Sequence, residues 1–235
     1  MTSRFDLRKL FIISIQVKFA SLGRTWINVV EQTLQGGTAM SDEGFECFGV
    51  QVEFPSQTDN DPILKRFGDP EMIANMQKVF FGEDPNPLGH SYAGLIRGPG
   101  GRNDLQDIID LLDAEPWSKR AVVTLCGNGD GKVPCINAIQ FLVRDGTVRA
   151  IYFARGQDAF RKFYADALCI ASMGQRVADR LHLPSGNVTG FIGSCHLYHR
   201  DLEQIQKMLE AARKGIPEAV NPSPRPSALA SVNAR

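Results

Sequence analysis

The chain has no CxxC pair and no grouping of histidine with cysteine at zinc-ligand spacing, so a zinc site is not expected and no metal is called for. Its five cysteines, at 47, 126, 135, 169 and 195, are odd in number, which argues for reduced thiols and a cytoplasmic setting rather than a disulfide framework. An excess of one charge is missing too. Lysine plus arginine number 26 and aspartate plus glutamate 26, so no overall field draws nucleic acid or an anionic membrane, and an anion has to be held locally. Neither GxGxxG nor a Walker sequence is present, which excludes a dinucleotide-binding or P-loop reading. The apolar run LFIISIQV, residues 10–17, is far too short to span a bilayer and reads as a buried strand.

What remains is the composition of a globular protein: 235 residues, 43% hydrophobic and 22% charged. Residues 24–37 place Trp26, Val29, Val30 and Leu34 at helical spacing. Residues 47–54 alternate Val50, Val52 and Phe54, a strand pattern. Helices are expected over 70–81 and 104–113, with a glycine-rich loop, 89–103, between them. Apolar segments at 120–126, 135–143 and 147–154 read as strands, the last two joined by RDG as a hairpin. A long helix is expected from about 157 to 181, then a strand over 187–199 and a closing helix capped by Asp201. The class is mixed α+β, with one domain over 1–215 and a proline-rich, irregular tail over 216–235.

Three groups of residues carry candidate chemistry. Cys135 stands behind a proline at the start of an apolar segment, as a packed thiol or a nucleophile. Arg155 ends the strand that the hairpin pairs with the Cys135 strand, where an arginine can serve both a thiolate and a phosphate. Asp158 follows it, so the two either point into one cavity or form a surface ion pair. His196 and Tyr198 are two apart on a strand and share a face, which suits a sugar hydroxyl or else a half-exposed edge strand.

These segments resemble the thymidylate synthases and the related pyrimidine-nucleotide hydroxymethylases. GHSYAGLIR is similar to LGPVYGxQWR, PWSKRAVVTL to PxSRRxxxSxW, and VPCINAIQF to the nucleophile segment PCHxxxQF. ARGQDAF resembles QRSxDxF, LCIASM resembles FNIASY, and GSCHLYHRDLEQI resembles GDxHIYxNHxEQ, the whole covering roughly residues 22–210. The resemblance implies that fold, with a sheet-mediated homodimer that shares its active sites. It implies Cys135 as catalytic nucleophile adding to C6 of a pyrimidine nucleoside monophosphate, Tyr92 in the network that moves the C5 proton, and Glu71 as the catalytic carboxylate. Arg155 would contact the phosphate, joined by Lys119 and Arg120 from the other subunit; His196 and Tyr198 would hold the ribose. Asp158 would meet 5,10-methylenetetrahydrofolate.

The sequence also departs from that pattern. Ile136 stands where the family has histidine, Gly156 where it has serine, Ser194 where it has aspartate, and Ala39 where an arginine is expected. The base-reading asparagine is replaced by Asp166 or Cys169, depending on where the extra residues after Arg155 are placed. An aspartate there is the choice of the cytosine-specific hydroxymethylases. Three functions therefore stay open: one-carbon transfer to C5, hydroxymethylation of a (deoxy)cytidine monophosphate, and a diverged nucleotide-binding protein without catalysis.

Overall fold

The computed structural model describes residues 16–58, 60–82, 85, 91–97, 104–125 and 133–215. The strands are β1 (Gln16–Lys18), β2 (Thr38–Met40), β3 (Gly44–Pro55), β4 (Val122–Thr124), β5 (Ile136–Arg144), β6 (Thr147–Asp158) and β7 (Ser185–Tyr198). The helices are α1 (Leu22–Gly36), α2 (Pro62–Phe67), α3 (Pro70–Phe81), α4 (Tyr92–Arg97), α5 (Asp104–Ala114), α6 (Phe163–Arg180) and α7 (Leu202–Gly215). This is the mixed α+β class expected. The strands form one sheet in the order β1-β3-β7-β6-β5-β4, with β2 paired to β3.

Local chemistry sets each connection that matters for the site. Asp145 and Gly146 have φ of 52° and 70°, the left-handed pair that a two-residue hairpin demands, so β5 and β6 run antiparallel from that turn. β6 and β7 are parallel and need a crossover, which α6 supplies. Tyr152 on β6 lies across Gly190 on β7, where a Cβ would sit 2.3 Å from the ring; only glycine admits it. Under the sheet, Trp26, Val52, Phe54, Ile139, Phe141 and Phe163 are fully buried and fuse helices and strands into one core.

Three contacts fix the turn between β6 and α6. The Trp26 indole N–H donates to the carbonyls of Ala159 and Phe160, at 3.0 and 3.2 Å. The Arg161 guanidinium grips the Asp201 carboxylate with two nitrogens, Nε at 2.8 Å. Asp201 is fully buried, and a carboxylate removed from water needs such a bidentate partner.

The sequence-based boundaries need four corrections. The long helix begins at Phe163 rather than 157, because residues 156–158 stay in β6 and pair with 194–196 of β7. Residues 92–97 of the expected loop are helix α4. Asp201 ends a 3-10 turn ahead of α7 and gives its carboxylate to Arg161. His196 and Tyr198 are not on an edge strand, since β7 lies between β3 and β6. Most of the 10–17 segment and the 216–235 tail lie outside the described residues.

Candidate active site

β5 begins, and the parallel strands β6 and β7 end, at the same end of the sheet, and that end gathers the chemistry. Cys135 is half-buried just ahead of β5. Its carbonyl accepts from the Arg155 backbone N–H at 2.9 Å, and a register shift between Ile136 and Ala138 bends the strand start. Bulges of this kind re-aim side chains beside functional sites. The Arg155 side chain grips the same segment. Its Nε bonds the carbonyls of Val133 and Pro134 at 3.2 and 3.0 Å, and Nη2 bonds Val133 at 2.7 Å. The arginine side chain is therefore held against the segment that leads into Cys135 by neutral carbonyls rather than by Asp158, and its positive charge is not cancelled by a carboxylate in that contact.

Tyr92, on α4, is completely buried, packs on Phe80 at 4.6 Å between ring centroids, and accepts from the Ile136 N–H at 3.4 Å. Burial first, then the charges of Asp166 and Cys135, push its pKa above the usual phenol range. The phenol thus stays protonated, bonded to the residue after Cys135 and within the electrostatic reach of Asp166.

Asp166 and Cys169 sit one turn apart on α6, and both are buried, 2% and 1% exposed. The Asp166 carboxyl is pushed up by burial, with Lys162 and Gln157 opposing that shift. Burial followed by the charge of Asp166 pushes the Cys169 thiol up as well. Gln157, a residue the sequence reading missed, donates from Nε2 to Asp166 Oδ2 at 2.7 Å. Strict alternation along β6 puts 157 on the open face with Arg155, so no periodicity signals its burial.

His196 and Tyr198 do share a face, their rings 5.2 Å apart edge to face, and Asp158 is in register with His196. Asp158 Oδ1 accepts from the backbone N–H groups of Phe160 and Arg161 at 3.1 and 2.8 Å. Burial raises its pKa, while the Arg161 N–H and the charge on His196 pull the other way. The Tyr198 phenol is raised by burial first, and it also senses the charges of Asp158 and Cys135.

Three expected residues do not join this cluster within one chain. Lys119 and Arg120 are exposed before β4; Lys119 gives its carbonyl to Gln140, and Arg120 pairs with Glu115 at 2.7 Å. Gln140 is five residues from Cys135, about 17 Å along an extended strand. Glu71 is exposed in the first turn of α3, with its backbone N–H on Asp69 at 2.9 Å. No group of three metal-ligating side chains occurs among the described residues. A cleft of about 660 Å³ lined by Ser21, Ser56, Thr58, Asp61, Ser172 and Gln175 shares no residue with the Cys135 cluster.

The chain is similar to known proteins over most of its length. A family model described as thymidylate synthase matches residues 71–232. Two archaeal proteins named "Putative thymidylate synthase" are similar. That of Methanosarcina barkeri is 23% identical over 89% of this chain and 99% of its own length. That of Methanocaldococcus jannaschii is 29% identical over 45% of this chain and 52% of its own length. The thymidylate synthase of Mycoplasma pneumoniae is 26% identical over 61% of this chain and 52% of its own length.

Proposed function

The chain belongs to the thymidylate synthase family, and from that premise we propose that it transfers a one-carbon unit to C5 of a pyrimidine nucleoside monophosphate through a covalent bond from Cys135 Sγ to C6. The observation that carries this reading is the grip of Arg155, by its backbone and its guanidinium, on the segment that presents Cys135. A guanidinium fixed there offers its remaining N–H donors to a phosphate beside the nucleophile segment.

C5 of a pyrimidine is a poor nucleophile until something adds to C6. Addition of the Cys135 thiolate places electron density on C5, which can then bond the one-carbon unit. The C5 proton has to leave afterwards, and expulsion of Cys135 restores the ring. Tyr92, a buried neutral phenol, orients the hydrogen bonds through which that proton departs. His196 and Tyr198 hold the ribose. 5,10-Methylenetetrahydrofolate supplies the one-carbon unit when bound. Asp158 fits it, because both bonds to its carboxylate fall on Oδ1 and Oδ2 has no partner among the described residues, leaving an acceptor for the pterin N–H groups.

Lys119 and Arg120 support a shared site, since neither reaches Cys135 in its own chain. The open face of the sheet exposes Val122, Phe153 and Phe191 at 37, 46 and 44%, an apolar patch that a second copy would cover. Mixing Arg120→Ala with Cys135→Ala subunits is expected to restore up to about a quarter of wild-type activity by statistical exchange, because one hybrid site holds both native residues. No recovery after verified exchange would refute the shared site.

A second reading is favoured by the buried carboxyl of Asp166: the base is cytosine and the last step adds water rather than hydride, giving a hydroxymethyl product. The experiment that tests both is release of tritium from C5 of UMP, dUMP, CMP and dCMP, with and without methylenetetrahydrofolate. Folate-dependent release from one base supports catalysis and names the substrate. No release from any leaves a nucleotide-binding protein that lost the chemistry.

A further inference from the structure

The cleft of about 660 Å³ lies at the end of the sheet remote from Cys135. Strand register fixes that placement: on β3, Gly44 stands across from Tyr198, whereas Pro55 stands across from Asn187 at the start of β7. The residues after Pro55 form one wall, and Ser21 ahead of α1 with Ser172 and Gln175 of α6 form the rest. One lining residue marks it as more than a surface hollow. Ser56 is 8% exposed, and its hydroxyl has no hydrogen-bond partner among the described residues. Its backbone N–H is bonded to the Gly186 carbonyl at 3.3 Å, so the residue is anchored while its side chain is left unmatched. Buried polar atoms in folded proteins nearly always find a partner, so this hydroxyl calls for a group from outside the chain.

The other walls decide what that group belongs to. Ser21 Oγ accepts from the Arg24 N–H at 3.3 Å and keeps its own hydrogen to donate. Ser172 gives its hydrogen to the Leu168 carbonyl at 2.9 Å and keeps its lone pairs. Gln175 bonds Asp179 through one N–H at 2.7 Å, which leaves a second N–H and the carbonyl oxygen. Asp61 accepts from Gly23 on Oδ2 at 2.6 Å and from Ile63 and Leu64 on Oδ1 at 2.9 and 3.3 Å, so Oδ2 has room for a further donor. Donors and acceptors are therefore interleaved around one space. A compound with several hydroxyls matches that pattern, since each hydroxyl both gives and takes.

What the lining lacks narrows the class further. Among the described residues no lysine, arginine, histidine or aromatic ring lines the cleft, and Lys65 on α2 gives its ammonium to Asn60 at 2.8 Å. The first amides of α1 and α2 are taken by Ser21 and Asp61, and the Asp61 carboxylate repels an anion. A phosphate or carboxylate is thus disfavoured, and a flat base has nothing to stack on. We propose that this cleft is a binding site for a neutral sugar or related polyol, separate from the Cys135 site and independent of what that site acts on. Its volume falls within the range of small-molecule pockets, about 300–1,000 Å³.

The test is titration of the 15N-labelled full-length protein with D-glucose, D-ribose, maltose and myo-inositol, with glucose 6-phosphate as the charged control. At least one neutral compound is expected to give saturable shifts confined to the amides around Ser21, Ser56–Asp61 and Ser172–Gln175, with a dissociation constant on the order of 1 mM. Ser56→Ala is expected to weaken that binding by about fivefold to tenfold, the loss of one hydrogen bond, without lowering the melting temperature, because the deleted hydroxyl bonds nothing in the free protein. If Ser56→Ala does not fold, Gln175→Ala has to weaken the same compound by at least about threefold. No saturable shift with any of the four neutral compounds would overturn the inference. So would binding that Ser56→Ala leaves unchanged, or tighter binding of glucose 6-phosphate than of glucose.

Discussion

Cys135→Ala is expected to reduce folate-dependent tritium release by at least about a thousandfold, as loss of a covalent nucleophile does, while the melting temperature stays within a few degrees of wild type. The two readouts separate because the thiol contributes little to packing. Cys135 is half-buried at the mouth of β5, whereas the residue after it, Ile136, is fully buried and carries the packing there. The fixed partners of the segment are backbone carbonyls: Arg155 bonds those of Val133, Pro134 and Cys135, and an alanine at 135 keeps all three. Nucleotide binding without turnover is therefore the expected state of the variant. An alanine variant that kept most of the rate would rule out the thiol adduct.

Asp166→Asn is expected to move base preference by roughly a hundredfold toward uracil, because an amide can donate to a ring carbonyl where a carboxylate only repels it, and an unpaired buried group costs about 1–3 kcal/mol. The same substitution has a second, independent signature in stability. Burial holds the folded-state pKa of this carboxyl above the ordinary 3.8, so the folded chain keeps the proton more tightly than the unfolded chain. Its contribution is fully present below about pH 3.8 and is lost as the pH rises through the elevated folded value. Removing the carboxyl flattens that decline. Chemical denaturation at pH 4 and at pH 7 checks this: the asparagine variant should gain on the wild type as the pH rises. A variant that lost ground at neutral pH would mean that Asp166 is held as a stabilised anion.

Much of the architecture is legible in the sequence because it is written in short-range patterns. The 70–81 helix follows its apolar spacing from the first residue to the last, with Asp69 capping it and Pro70 at its first position. The Asp-Gly turn announces the β5–β6 hairpin through the two left-handed residues it requires. Where partners distant in sequence decide, the local pattern misleads. Residues 157 and 158 read as the start of a helix, yet β7 captures them as strand through pairing with residues 195 and 196. The site shows the same division. Cys135, Arg155, Tyr92, His196 and Tyr198 are visible in short motifs, and the structure gathers them at one end of the sheet. The choice between Asp166 and Cys169 could not be made by counting, since an offset of one helical turn keeps either on the same side. Gln157 left no trace at all, because its burial comes from α6 and the partner strand rather than from its own strand's alternation.

The Asp145–Gly146 turn closes the hairpin at the end of β6 opposite Asp158, and β6 runs for 12 residues between them. At the rise of an extended strand, that is about 36 to 40 Å. Both turn residues project beyond the paired ladder, where added chain disturbs no sheet hydrogen bond. The turn is therefore a natural handle: a peptide tag inserted there, or a surface-coupling cysteine, anchors the molecule by the end remote from Cys135 and leaves the thiol facing solution.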